Sequence, residues 1–383
     1  MSQMVQAESV NTESGFQKGL ELSQQGDFEA AIAHFDNTIQ LQPDHYDAWN
    51  ERGNALSSLG RYQDAIGCYE RAIAAVPDAP TPYYSLGRAA YVIGCYDQAT
   101  VAFSKVLELA PDFPHAHYCL GLALYVAGNY REAVSTLQRA LDLQPDFVDA
   151  WYTQAFALYS TGRYESAIKH FNQALELQPN YWEAYSGRAD CLRQLGDYEA
   201  AIVSYDKALG LKPDDAESWY QWAVCLKTLG RYKHAIVGYD KAISFQPDDW
   251  RAWYGCGSCL MKLEDYEAAI ASYDQALKFK PDYYEAWFNR GVAFKHLEQF
   301  EAAIASYDRA IELRPDDYKA WNNRGSALQS LEKFEEAIAS YNKVLKLNPN
   351  DERAQQNLTR ASKQLNQKAT ATENPCNAEH NQS

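Results

Sequence analysis

The chain has 383 residues, a formal net charge of −16 and 46% hydrophobic residues. The acidic balance argues against a nucleic-acid binder, whose affinity rests on Lys and Arg neutralising phosphates, and the regular apolar patterning excludes disorder over most of the chain. No run approaches the 18 or more apolar residues of a membrane span, residues 1–11 carry no secretory signal, and eight cysteines without framework spacing read as reduced, cytoplasmic thiols.

Residues 1–11 read as a short flexible N-terminus. From there the chain counts in steps of 34: Pro43, Pro77, Pro111, Pro145, Pro179, Pro213, Pro247, Pro281, Pro315 and Pro349 fall on one ruler without insertion or deletion. A strict period of this length marks a stacked array, in which each repeat buries its apolar face on its neighbours. With each proline at position 32, ten repeats span residues 12–351, beginning at Thr12, Tyr46, Pro80, Pro114, Val148, Trp182, Ala216, Trp250, Tyr284 and Tyr318.

Every repeat reads as helix, turn, helix. Positions 4, 8 and 11 (Trp49, Gly53 and Leu56 in repeat two) share one helical face. Position 8 is only Gly or Ala, position 20 is Ala in all ten repeats from Ala31 to Ala337, and position 24 is a large apolar residue from Phe35 to Tyr341. Small residues at 8 and 20 let the helices approach, and the large side chain at 24 fills the space between them. Positions 3 and 10 form a second small-residue stripe, predicting close packing on the preceding repeat. Repeat one places Ser14, Lys18 and Glu21 at positions 3, 7 and 10, as a cap without a neighbour would. Position 15 is Gly from Gly26 to Gly230, where a helix end wants a left-handed residue. It becomes Glu264, Glu298 and Glu332 in the last three repeats, which predicts a tighter or helical turn there. After Pro349, residues 352–367 predict a capping helix with Ala354, Leu358, Ala361 and Leu365 on one face, and residues 368–383 read as a disordered tail.

This pattern resembles the tetratricopeptide repeat, with Trp219, Ala223, Leu226, Tyr232, Ala235, Tyr239, Ala242 and Pro247 matching its positions in one repeat. The resemblance covers residues 12–351 and implies an all-α, right-handed superhelical α-solenoid of ten helix-turn-helix units plus a C-terminal capping helix. The Asn-x-Arg-Gly runs at Asn50–Gly53 and Asn322–Gly325 are similar in style to repeats of cyanobacterial members, some of which assist complex assembly. The RNA-reading pentatricopeptide family has a 35-residue period, which does not fit.

No catalytic motif is present, and neither a metal nor a cofactor is expected. Cys259 lies at position 10, where other repeats carry Ala, so Cys256-x-x-Cys259 reads as packing and no second pair completes a zinc site. His117 fills the position-4 slot of Trp or Tyr, and the neighbouring His115 points to another face.

Positions 5, 9 and 12, with 2 on the same flank, remain after packing, and the resemblance implies that they line a concave groove. Repeats three to five present Tyr84, Arg88, Tyr91, Tyr118, Tyr125, Tyr152, Phe156 and Tyr159 there, and repeat two offers Asn50 and Asn54. Tyr gives large contact area with a polar tip, suited to peptide recognition, and replacing Tyr118 and Tyr152 by Ala is expected to spare stability. Chaperone-binding members hold a C-terminal carboxylate with Lys and Asn at groove slots where this chain has Phe16 and Leu20, so no such clamp is assigned. The function so implied is a noncatalytic scaffold or adaptor that binds a protein or peptide segment. The alternatives are a targeting or regulatory subunit of a separate enzyme and, third, an RNA-binding helical repeat, which a groove flank that is neither basic nor code-like disfavours.

Overall fold

The computed structural model describes the backbone of residues 2–373 and the side chains of residues 12–370. Among them the regular structure is entirely helical, twenty-one α-helices from Ser2–Gln24 to Glu352–Glu373. The chain forms two compact bodies, Met1–Leu195 and Gly196–Ser383. Within each body every helix packs on the helices before and after it in sequence, so the architecture is an all-α helical-repeat solenoid.

The 34-residue ruler has a hydrogen-bond basis. In repeat two the helices are Tyr46–Ser58 and Tyr62–Ala75. The indole of Trp49, at position 4, donates to the Pro43 carbonyl at 2.8 Å. The same bond recurs from Trp151 to Pro145 and from Trp253 to Pro247, both at 2.9 Å. His117 Nε2 lies 2.8 Å from the Pro111 carbonyl oxygen, which confirms its role as a packing residue in the Trp slot. Proline stops the second helix because it lacks an N–H, and its free carbonyl then anchors the next repeat.

The core is the predicted trio. All ten position-20 alanines are fully buried, and each position-24 side chain is at most 1% exposed. A Cβ on Gly53 would stand 2.5 Å from Tyr69 Cε1, so position 8 is small because the ring lies directly over the backbone. Repeats five, six and seven nevertheless carry Ala155, Ala189 and Ala223 there. In repeats five and seven, the ring at position 24 leans instead on position 6 of the following repeat, which is Gly187 or Gly255. A Cβ on either glycine would meet Phe171 or Tyr239 at 2.5 Å. The required gap has moved one repeat along.

The left-handed turn is kept throughout. Gly60 has φ 76°, and Glu264, Glu298 and Glu332 have φ 63°, 57° and 57°. This corrects the expectation of a tighter or helical turn. The two hydrogen bonds that close a helix end are the same in both versions: Arg61 N to Leu56 O at 2.9 Å and Gly60 N to Ser57 O at 3.0 Å in repeat two, and Asp265 N to Leu260 O at 3.0 Å and Glu264 N to Met261 O at 3.3 Å in repeat eight. The flanking helices thus over-determine a conformation that costs a non-glycine residue roughly 1–2 kcal/mol.

Arginine at position 7 clips neighbouring repeats. Arg290 lies 2.6 Å from Asp274 in the preceding second helix and 2.9 Å from Ser306 in its own. Arg52 bridges Asp36 and Cys68 in the same manner, which gives the Asn-x-Arg-Gly run a structural role.

At the ends, the segment expected to be flexible is helical from Ser2, within the helix Ser2–Gln24. Ser14, Lys18 and Glu21 are exposed, whereas positions 3 and 10 of repeats four and five are fully buried alanines. The last helix runs to Glu373, with Ala354 and Ala361 fully buried. Residues 368–373 therefore extend it, and the remainder of the expected tail lies outside the described residues.

Candidate interaction stripe

The stripe is built by the residue just before each first helix. Position 34 is His45 and Ala79 in the first two repeats and afterwards takes two forms, Asp or an aromatic ring, the latter also in repeat eight, where Tyr283 lies 4.9 Å from Tyr254. In repeats six, seven and nine it is Asp215, Asp249 and Asp317, each of which accepts a backbone N–H of the following helix. In repeats three, four and five it is Phe113, Phe147 and Tyr181, each of which lies against the position-5 ring of its own repeat. Tyr84 and Phe113 have centroids 5.2 Å apart, and Tyr118 and Phe147 4.8 Å. Tyr152 and Tyr181 stack at 4.7 Å and 26°. These partners were not anticipated from the sequence, although the Asp/aromatic alternation at position 34 was readable on the ruler.

A second set of pairs runs beside the first. Tyr91, Tyr125 and Tyr159, at position 12, meet Tyr96, Tyr130 and Tyr164 of their own repeats at 5.5, 5.6 and 5.4 Å. Phe156 packs edge-on to the core ring of Phe171 at 5.1 Å and against Tyr152 at 4.9 Å. The exposed imidazole of His115 bridges Phe113 at 6.3 Å and Phe147 at 5.0 Å. Tyr84, Phe113, His115, Phe147 and Tyr118 therefore form one continuous aromatic shelf.

The predicted tyrosines are half-buried rather than free. Desolvation raises the Tyr84 hydroxyl well above its ordinary range and pushes Tyr118 up to about 12, so both stay protonated donors. Their tips reach the next repeat: the Tyr84 hydroxyl is 3.7 Å from Cys119 Sγ, and Gln194 Nε2 donates to Tyr159 at 3.3 Å. This half-burial argues against the expectation that Tyr118→Ala with Tyr152→Ala would leave stability intact.

Of the polar candidates, Arg88 is exposed and 6.0 Å from the Tyr84 centroid. Asn54 accepts from the Tyr69 hydroxyl at 3.0 Å and donates to Glu51 at 3.1 Å. Asn54 and Arg88 line one polar cleft of about 470 Å³ with Ser57, Tyr69 and Ser85. Asn50 is only 4% exposed and lies outside that cleft. Cys256 and Cys259 are buried, free thiols pushed up by desolvation to about 12 and about 11. Among the described residues no group of three or more His, Cys, Asp or Glu is placed to hold a metal ion, and no helix is long and apolar enough to cross a membrane.

Stacked helix pairs that carry a continuous stripe of side chains on their first helices define a helical-repeat scaffold of the kind that generally serves protein–protein contact without catalysis. Family models described as "Tetratricopeptide repeat" match residues 16–80, 84–146, 118–181, 152–216, 192–255, 284–317 and 318–351, and one described as "TPR repeat" matches 257–298. The chain belongs to the tetratricopeptide repeat family. A search of curated proteins found no match. Among solved structures, YrrB, described as a TPR protein with an unusual peptide-binding site, is 24% identical over 48% of this chain and 95% of its own, with a TM-score of 0.45. A tetratricopeptide repeat protein from Parabacteroides merdae is 19% identical over 65% of this chain and 99% of its own, with a TM-score of 0.49. A chain of the APC/C hetero-tetramer Cut9–Hcn1 is 15% identical over 92% and 84%, with a TM-score of 0.43.

Proposed function

We propose that this protein is a noncatalytic cytoplasmic scaffold or adaptor that holds a peptide or protein segment along the first-helix stripe of repeats three to five, in the service of assembling a larger complex. The observation that carries this reading is the aromatic shelf, because the fold does not require it. Repeat ten places Asn322 at position 5 and forms the same helix pair. An aromatic side chain at this register is thus optional for the helix pair, although it adds to packing where present, and half-buried Tyr offers contact area at low entropic cost. Cysteines in no disulfide spacing favour a reducing compartment.

The test is a random peptide array probed with the full chain, followed by amide hydrogen exchange with a retained peptide. Protection confined to the first helices Pro80–Val92, Pro114–Val126 and Val148–Ser160 supports the proposal. Protection confined to the second helices, or retention of no peptide at all, refutes it.

A further inference from the structure

Two carboxylates on the flank of the stripe are left without counter-ions. Asp149 and Glu183 hold position 2 of repeats five and six, in the first turns of the helices Val148–Ser160 and Trp182–Gln194. Among the described residues no Lys or Arg stands at ion-pair distance from either one. Acids nearby do find partners, Asp142 with Arg139 at 3.6 Å and Asp190 with Arg193 at 3.8 Å.

The surroundings of the two acids are electron-rich. The stacked rings of Tyr152 and Tyr181 and the Tyr118–Phe147 pair lie in the same repeats. After burial, the Asp149 charge is the next influence that raises the Tyr118 hydroxyl, and Glu183 is the next on Tyr152. The Tyr181 hydroxyl is raised by burial first, then by Tyr152, Asp149 and Glu183. Three phenols and two carboxylates therefore share one neighbourhood in which, among the described residues, neither carboxylate has an ion-pair partner.

The C-terminal body shows what fills the corresponding place. There Arg251, at position 2 of repeat eight, reaches back to Glu217, at position 2 of repeat seven, at 2.8 Å. Its guanidinium carbon lies 4.8 Å from the centroid of Tyr220, at position 5 of repeat seven. From a different register, Arg314 at position 31 of repeat nine also joins an acid and a ring, 2.7 Å from Glu285 and 4.2 Å from the Tyr284 centroid. Asp149 and Tyr152 occupy the registers of Glu217 and Tyr220, but the register of Arg251 is taken by Glu183 and that of Asp249 by Tyr181. Repeat five thus keeps the acid and the ring of an arginine site, lacks the arginine, and gains a second acid and a second ring.

We propose that Asp149 and Glu183, with the rings of Tyr118, Tyr152 and Tyr181, receive a Lys or Arg side chain of the bound segment, so that the partner is a basic peptide. A guanidinium or ammonium placed there satisfies both carboxylates and lies on π faces, the combination that stabilises a cation as its water is removed. The inference rests on the stripe reading above and narrows it.

The experiment compares fluorescent peptides from the array, each made with Lys or Arg and again with Gln at the same positions, by anisotropy with the full chain at 0.15 M salt. The basic versions are expected to bind about tenfold more tightly, as one unit of differential charge interaction would give. Asp149→Asn with Glu183→Gln should abolish that preference. Asp97→Asn with Glu132→Gln, the same charge change on exposed second-helix sites, should retain it. Equal affinity for basic and Gln peptides overturns the inference and leaves the stripe reading standing. Loss of preference in both variant pairs also overturns it, since net charge alone would then explain the binding. Failure of every peptide to bind overturns both readings.

Discussion

Gly53→Ala should destabilise the fold through a single atom. In an open helix this change gains about 1 kcal/mol, because Ala has the higher helix propensity. Here the new Cβ would stand 2.5 Å from Tyr69 Cε1 and 2.9 Å from Cδ1, about 1 Å inside ordinary contact. Tyr69 is 1% exposed, with its hydroxyl bonded to Asn54 and 3.0 Å from Ser57 Oγ, so the ring cannot swing away without breaking those bonds. Overpacking of this kind costs about 1–3 kcal/mol, which outweighs the propensity gain. Repeats five and seven indicate the remedy, because their position-8 alanines coexist with Gly187 and Gly255 at position 6 of the next repeat. The corresponding residue for repeat two is Ser85. Ser85→Gly alone should lose about 0.5 kcal/mol of helix propensity, yet it should recover about 1–2 kcal/mol in the Gly53→Ala background. A double-mutant cycle by urea unfolding of the full chain, followed by circular dichroism, measures this coupling. Strict additivity, or a Gly53→Ala variant more stable than the parent, would refute the reasoning.

Three further outcomes follow from the same structure. Replacing Glu264, Glu298 and Glu332 by Gly should stabilise the C-terminal body by about 0.5–1 kcal/mol per site, the left-handed strain relieved less the entropy glycine loses; slower amide exchange in the helices Trp250–Lys262 to Phe334–Leu347 is the readout, and unchanged exchange counts against it. Tyr118→Ala and Tyr152→Ala should each cost about 2 kcal/mol, from roughly 100 Å² of ring buried against Phe147 and Tyr181, and a melting temperature unchanged in both would show the rings to be idle. His170 packs on Trp151 at 5.1 Å with Nδ1 2.8 Å from the Ser166 carbonyl oxygen, and burial holds its imidazole below the ordinary 6.5. The unfolded chain then binds the extra proton first as pH falls, so this contribution is complete above pH 6.5 and is lost down through the lower folded value. An NMR titration midpoint at or above 6.5, or the same acid sensitivity in His170→Gln, would contradict it.

Much of the site was legible because the period turns every residue into an address. Tyr84, Tyr118 and Tyr152 share position 5, and that register alone placed them on one stripe. Their half-burial was not legible, since it depends on Phe113, Phe147 and Tyr181 turning back over them from the loop before the next helix. The burial of Asn50 was hidden for a related reason: its register is that of the stripe, but its side chain is buried and lies outside the cleft that Asn54 and Arg88 share.

The sequence by itself determined the repeat, its boundaries and its core. Packing in a stacked array is nearest-neighbour, and a local pattern copied ten times leaves one consistent answer for the alanines at position 20 and the large side chains at position 24. Tertiary structure alone decided matters that depend on a residue's partner in the adjoining repeat. Gly187 makes room for a ring displaced by Ala155. Arg251 pairs with Glu217, whereas the corresponding Glu183 gives Asp149 no ion-pair partner among the described residues. Such choices lie between repeats, where the energy of one side chain is set by another 16 to 34 residues away.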